Sequence, residues 1–194
     1  HTVRCEVTQD TIEGMTGAQD CVDNEKMSRH LGASSGASTF NLAADTQYSW
    51  PFWLSYPVLA TKLTIKVITA QAGSTTDIGI SRMVAGESAS TYLATTNVVT
   101  TSTGNSITAT ISALMLPAGW YVMHIVSDAA VGIERTNGAD INWSPMKDVN
   151  GADRHGPGTY LKKSGVTGGA LTADPSTVTT QVYKTDIPLI RIAP

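Results

Sequence analysis

Charge is scarce in this chain. Asp, Glu, Lys and Arg make up 15% of its 194 residues, against about a quarter in ordinary globular domains. The balance is slightly acidic, at −3. The 13 basic residues are scattered, and their tightest cluster is Lys162-Lys163. That argues against a basic patch for nucleic acid. Long apolar runs are missing too. The best one, Leu114 to Val126, is broken by Pro117, Gly119 and His124, too short and interrupted for a bilayer span. No membrane insertion is expected. Only two cysteines occur, Cys5 and Cys21. They could close one loop or stay as two thiols, but outside a Cys-x-x-Cys spacing they do not make a zinc site. The first residue is His1 and no targeting motif is visible, so the chain is expected to be cut from something longer.

What replaces charge is Thr (27), Ser (17) and Gly (17). Thr suits exposed strand faces, while Gly and Ser suit turns. This composition predicts an all-β domain rather than a helical bundle. Residues 1–38 read differently. Ala18 to Leu31 has helix-like spacing, acids early and basic residues late, and Gly32 at the C-cap position. That predicts one short N-terminal helix, followed by a small-residue linker over 32–38.

From Phe40 the pattern has period two. Leu59, Thr61, Leu63, Ile65, Val67 and Thr69 share one face of a predicted strand, with Lys62 and Lys66 on the other. Further strands are predicted around Ile78–Ile80, Tyr92–Val99 (one or two short strands), Ile107–Ala113, Gly119–Ser127, Val131–Arg135, Val178–Tyr183 and Ile187–Ile192. Turn signals separate them at the rhythm of an antiparallel β-sandwich or jelly roll. The expected organisation is an arm over 1–38 and a sandwich domain over 39–194. Within the latter, about 137–175 is rich in loops, with embedded strands over Ile141–Ser144 and Thr159–Lys162. So long an irregular stretch tends to be functional or to lie at an interface.

Three segments are similar to a known family. They are Asn41 to Phe52 leading into Pro57-Val58-Leu59-Ala60-Thr61-Lys62-Leu63, then Asp77-Ile78-Gly79-Ile80, then Leu116-Pro117-Ala118-Gly119-Trp120-Tyr121. Over about residues 40–135 the chain resembles a β-sandwich module of bacteriophage tail fibres and related virion fibre or spike proteins, including phage-like particles such as gene transfer agents. It departs from the pattern at Ser81, where the motif of Asp77-Ile78-Gly79-Ile80 often continues with an aromatic residue. Residues 1–38 and 137–194 do not match. The resemblance implies a virion location and a homotrimer that works with other fibre or capsid proteins and recognises a cell-surface polymer.

Several residues could carry chemistry. Trp143 lies among Asp140, Ile141, Asn142 and Ser144. An aromatic ring among hydrogen-bonding groups is how saccharide sites are made, and Arg154, His155 and Tyr160 follow in similar surroundings. The bland alternative is a Trp that anchors its own loop. In Tyr48, Trp50, Phe52, Trp53 and Tyr56 a sugar-stacking platform competes with core and interface packing, and packing weighs more. Trp120 and Tyr121 point to opposite faces, so one is expected in the core and the other against a second layer or chain. Asp148-Val-Asn150-Gly151-Ala-Asp153 has oxygen donors at alternate positions, yet lacks the closing Glu and flanking helices of a calcium loop; a solvated turn is expected and no metal is assigned. His124, between Met123 and Ile125, reads as a buried neutral histidine. No Gly-x-Ser-x-Gly, His-Glu-x-x-His, Walker or Gly-x-Gly-x-x-Gly motif occurs, and no acid sits in an apolar run. The expectation is a non-enzyme without catalytic residues or cofactor.

Three functions remain open at this stage: a fibre or spike domain binding a host surface polysaccharide, a purely structural virion decoration or fibre-shaft domain, and a carbohydrate-binding module of a secreted protein or adhesin.

Overall fold

A computed structural model describes residues 39–54, 56–104, 106–137, 159–183 and 186–194. The helix expected over Ala18–Leu31, both cysteines and the boundary at 38 lie outside the described residues, as do the strand expected over Ile141–Ser144 and the Asp148–Asp153 turn.

The described chain is all-β and antiparallel. Its strands are β1 Thr39–Leu42, β2 Thr46–Leu54, β3 Val58–Thr69, β4 Thr75–Val84, β5 Glu87–Val99, β6 Ser106–Leu116, β7 Gly119–Ser127, β8 Val131–Asn137, β9 Thr159–Ser164, β10 Thr180–Tyr183, β11 Asp186–Pro188 and β12 Ile190–Ala193. They form two sheets. In the first, β1 pairs β8, β8 pairs β3, and β3 pairs both β6 and β12, while β11 pairs β8. The second has the order β10-β9-β2-β7-β4-β5. The first eight strands thus pair in a nested fashion, β1 with β8, β2 with β7, β3 with β6 and β4 with β5.

Alternation explains the core. Tyr48, Trp50 and Phe52 of β2, Leu63, Ile65 and Val67 of β3, Ile78 and Ile80 of β4, Tyr121, Met123 and Ile125 of β7 and Ile133 of β8 are all buried in one apolar cluster. Each large aliphatic side chain contributes about 1.5–3 kcal/mol when taken out of water. Tyr48, Trp50 and Phe52 therefore follow the packing reading. β7 has the predicted range, and the predicted Tyr92–Val99 strand belongs to a 13-residue β5. The predicted Ile187–Ile192 strand is divided at Leu189, whose N–H donates to the Glu134 carbonyl at 2.9 Å. Glu134 is itself buried, and Arg191 Nη2 (2.6 Å) and Lys66 Nζ (3.4 Å) both pair with its carboxylate. That ties β8 to β12 and β3.

One expectation about β3 needs correcting. Leu59 does not share the inward face of Leu63. The register shifts between Ala60 and Lys62 against β6, so Ala60 is buried and Leu59 is 43% exposed. An irregularity of one residue exchanges the two faces of everything before it.

Residues 165–179 form a strap over the outer face of the second sheet. Its backbone N–H groups land on that sheet's side chains and turns: Val166 on the Asp45 carbonyl (2.9 Å), Gly169 on Asp45 Oδ1 (2.8 Å), Leu171 on Asp77 Oδ2 (3.3 Å) and Thr172 on Gln47 Oε1 (2.8 Å). Asp174 caps the short 3-10 turn Pro175–Thr177 by accepting from Ser176 N at 2.9 Å. A small apolar cluster of Leu161, Val178 and Met83 adds to the cover. This half of the loop-rich region thus packs on the chain's own sheet.

Candidate functional site

Two features of the second sheet's outer face bear on function, one buried and one exposed. The buried one centres on His124. Along β2 the inward residues Tyr48 and Trp50 alternate with Gln47 and Ser49, and along β7 Met123 and Ile125 flank His124, so these polar residues face away from the apolar core. Beneath the strap they meet. Ser49 Oγ lies 2.7 Å from His124 Nδ1, and Ser81 Oγ lies 2.8 Å from Nε2. Ser88 Oγ is 2.7 Å from Ser81 Oγ. Gln47 Nε2 donates to Tyr92 Oη at 3.0 Å, and the Tyr92 ring meets the imidazole edge-on at 5.1 Å. The space is tight: a Cβ at Gly79 would come within 2.9 Å of both Leu171 and Tyr92. Glycine at 79 lets ring and strap settle on the sheet.

Burial lowers the His124 pKa to about 3, because an imidazolium loses its hydration there. The ring is neutral, as the sequence suggests. A neutral imidazole has one N–H and one lone pair; with a serine hydroxyl at each nitrogen, one accepts and the other donates. Ser81 beside His124 has the look of a nucleophile and its base. However, the hydrogen bonds of the ring are to Ser49, Ser81, Ser88 and Gln47, not to an orienting carboxylate, and the ring is 0% exposed. What the cluster does is hold four strands and the strap in register. Among the described residues no group of three or more His, Cys, Asp or Glu is placed to hold a metal ion.

Of the sequence-predicted glycan contacts, Asp140, Asn142, Trp143, Arg154 and His155 lie outside the described residues. Tyr160 is described, and its ring is not available at the surface. It is 4% exposed and packs edge-on against Phe40 and Tyr48, with centroids 5.6 Å from each. The parity of β9 turns Tyr160 inward and Leu161 outward, which places Tyr160 in the core. Burial, and next Tyr48, raise its pKa.

The exposed feature is a pair of tryptophans. Trp53 stands opposite Trp120 in the β2–β7 register. Their ring centroids are 5.4 Å apart and their planes are inclined at 56°. On the other face the neighbouring Phe52 and Tyr121 stack in the core at 5.6 Å. Tyr121 is thus the core residue of its pair and Trp120 the outward one. The β6–β7 corner is closed by Tyr121 Oη donating to the Pro117 carbonyl at 2.7 Å, with Gly119 at φ 151°. Parity alone separates Trp53 from Trp50 and Phe52, but its partner depends on β2–β7 register, which no local signal supplies.

Neither a protein-family model nor a curated protein matches this chain. Among the described residues no helix is long and apolar enough to cross a membrane.

Proposed function

We propose that this chain is a virion fibre or spike domain, of a phage or phage-like particle, that attaches to a host surface polysaccharide as a homotrimer. Its finer architecture is read as a jelly roll, because the pairing of strands one to eight is nested from the outside in. Viral capsid and lectin domains use that arrangement, although a fold by itself does not specify function.

The observation that carries the reading is the corner Leu116-Pro117-Ala118-Gly119-Trp120-Tyr121. Each motif residue has a structural task there: Leu116 is buried, Gly119 takes a positive φ, and the Tyr121 hydroxyl closes the turn on Pro117. The motif behind the resemblance therefore acts as a unit in this fold. A surface of threonine and serine hydroxyls with little charge suits a hydroxyl-rich polymer, and trimerisation would multiply weak contacts through avidity. Trp143, with Asn142, Asp140, Arg154 and His155, remains the proposed contact group. Tyr160 drops out of it because its ring is packed in the core.

Sedimentation velocity and a glycan array on the same preparation test this. A trimeric mass with array binding that Trp143→Ala weakens is the expected result. A monomer that binds sugar would point to a tethered carbohydrate-binding module. A trimer with no array binding would point to a structural decoration or shaft domain.

A further inference from the structure

We propose that Trp53 and Trp120 form a second saccharide contact, an aromatic corner that takes the apolar face of a pyranose ring. Along β2 the outward residues Gln47, Ser49 and Pro51 are all buried, and along β7 so are Val126, His124 and Val122. The next outward residue on β2 is Trp53, which is 42% exposed, and the next on β7 is Trp120, which is only partly buried. The cover of this face therefore ends at the two indoles.

The corner is built on a firm base. β2 and β7 stay paired through Leu54 and Gly119, one step beyond the tryptophans. Leu54, Phe52 and Tyr121 are buried directly behind. Both backbones are held before any ligand arrives, so little ordering cost falls on binding. Among the described residues, β9 runs beside β2 only over Thr46–Ser49, and no other described strand pairs with the Trp53 stretch of β2 on that side. Pro51, which has no N–H to offer, sits in this stretch, where an edge tolerates it.

Size and chemistry select the occupant. A stable protein interface needs about 800 Å² from each partner, and two partly buried indoles provide far less. One pyranose face is comparable in area to one indole, and its C–H groups suit the negative face of the ring. Planes inclined at 56° give one ring to stack upon and a second to wall the side. The contact is distinct from the Trp143 group, although it rests on the same reading of the chain as a glycan binder.

The test uses the whole chain and an array of immobilised oligosaccharides, with affinities of the hits measured for Trp53→Ala, Trp53→Phe, Trp120→Phe and Trp143→Ala. Trp53→Ala is expected to weaken binding by about tenfold with an unchanged Tm, and Trp53→Phe to restore part of it. In the wild type, the hit oligosaccharide should shift the indole N–H resonances of residues 53 and 120. Should Trp53→Ala and Trp120→Phe both bind like the wild type while Trp143→Ala does not, the second contact is wrong and the glycan reading stands. An array without hits removes both. If Trp53→Ala lowers the Tm, the phenylalanine variants and the resonance shifts decide, and no shift at residues 53 and 120 overturns the proposal.

Discussion

The outer faces of the two sheets are built from the same kinds of residue and have opposite fates. On the first sheet, Thr64 and Thr108 face water across β3 and β6 with their hydroxyls 2.7 Å apart, and Lys62, Thr110 and Met115 are exposed around them. On the second sheet, Ser49, Ser81 and Gln47 are as polar, yet all are buried and hydrogen-bonded. Water can satisfy any hydroxyl on an open face. Under the strap each hydroxyl needs a protein partner, since an unmet polar group in the interior costs about 1–3 kcal/mol. Similar composition is thus tolerant on one sheet and exacting on the other, and the strap makes the difference.

The sharpest way to break this contrast is to lift the strap. Gly169 has φ 66°, and a Cβ there would run into the Asp128 backbone. Gly169→Ala should cost about 4 kcal/mol in urea unfolding, and amide exchange should show the Leu171 and Thr172 N–H groups losing protection. An equally protected strap in that variant would contradict its role as a fixed cover. Next in size, His124→Leu keeps approximate volume, leaves the Ser49 hydroxyl without its partner and reduces Ser81 to its bond with Ser88. A loss of about 3 kcal/mol is expected, and a loss under about 0.5 kcal/mol would mean the cluster is not structural.

A pH titration sharpens the same point. Burial holds the folded pKa of His124 at about 3, against the ordinary histidine value of 6.5. The unfolded chain therefore takes up a proton that the folded one refuses. This contribution is complete above pH 6.5 and is lost as pH falls from 6.5 towards 3, with a slope approaching about 1.4 kcal/mol per pH unit. His124→Asn should remove that part of the acid sensitivity; parallel wild-type and variant curves over this window would refute the assignment. The smallest effect belongs to the open sheet. Thr64→Ala should change stability by no more than about 0.5 kcal/mol, and a larger change in thermal unfolding would mean that face is covered after all.

Much of the sheet pattern was legible residue by residue. β7 has the predicted bounds because Trp120, Tyr121, Val122, Met123, Ile125 and Val126 form an apolar run ended by turn signals on both sides. The alternation of Leu63, Ile65 and Val67 with Lys62, Thr64 and Lys66 named the inward face of that part of β3. Leu59 was misplaced because the irregularity near Ala60 arises from pairing with β6 and has no local marker. The strand expected over Thr159–Lys162 is present as β9; Tyr160 was expected at a sugar because polar residues surround it in sequence, whereas the parity of β9 turns its ring into the core beside Phe40 and Tyr48. The His124 cluster draws on residues 47, 49, 81, 88, 92 and 124, and only the neutrality of the histidine could be inferred from its apolar neighbours.

Composition and periodicity alone determined that the described part of this chain is built of antiparallel β-sheets with a Thr-rich, weakly charged sequence, because side chains on a strand alternate faces and that period is written in local sequence. Which sheet face is covered, which serines meet His124 and which tryptophan stands beside Trp53 were decided by the tertiary structure. Those outcomes depend on contacts between segments 43 to 125 residues apart, and pairing energy between distant segments leaves no trace in either segment taken alone.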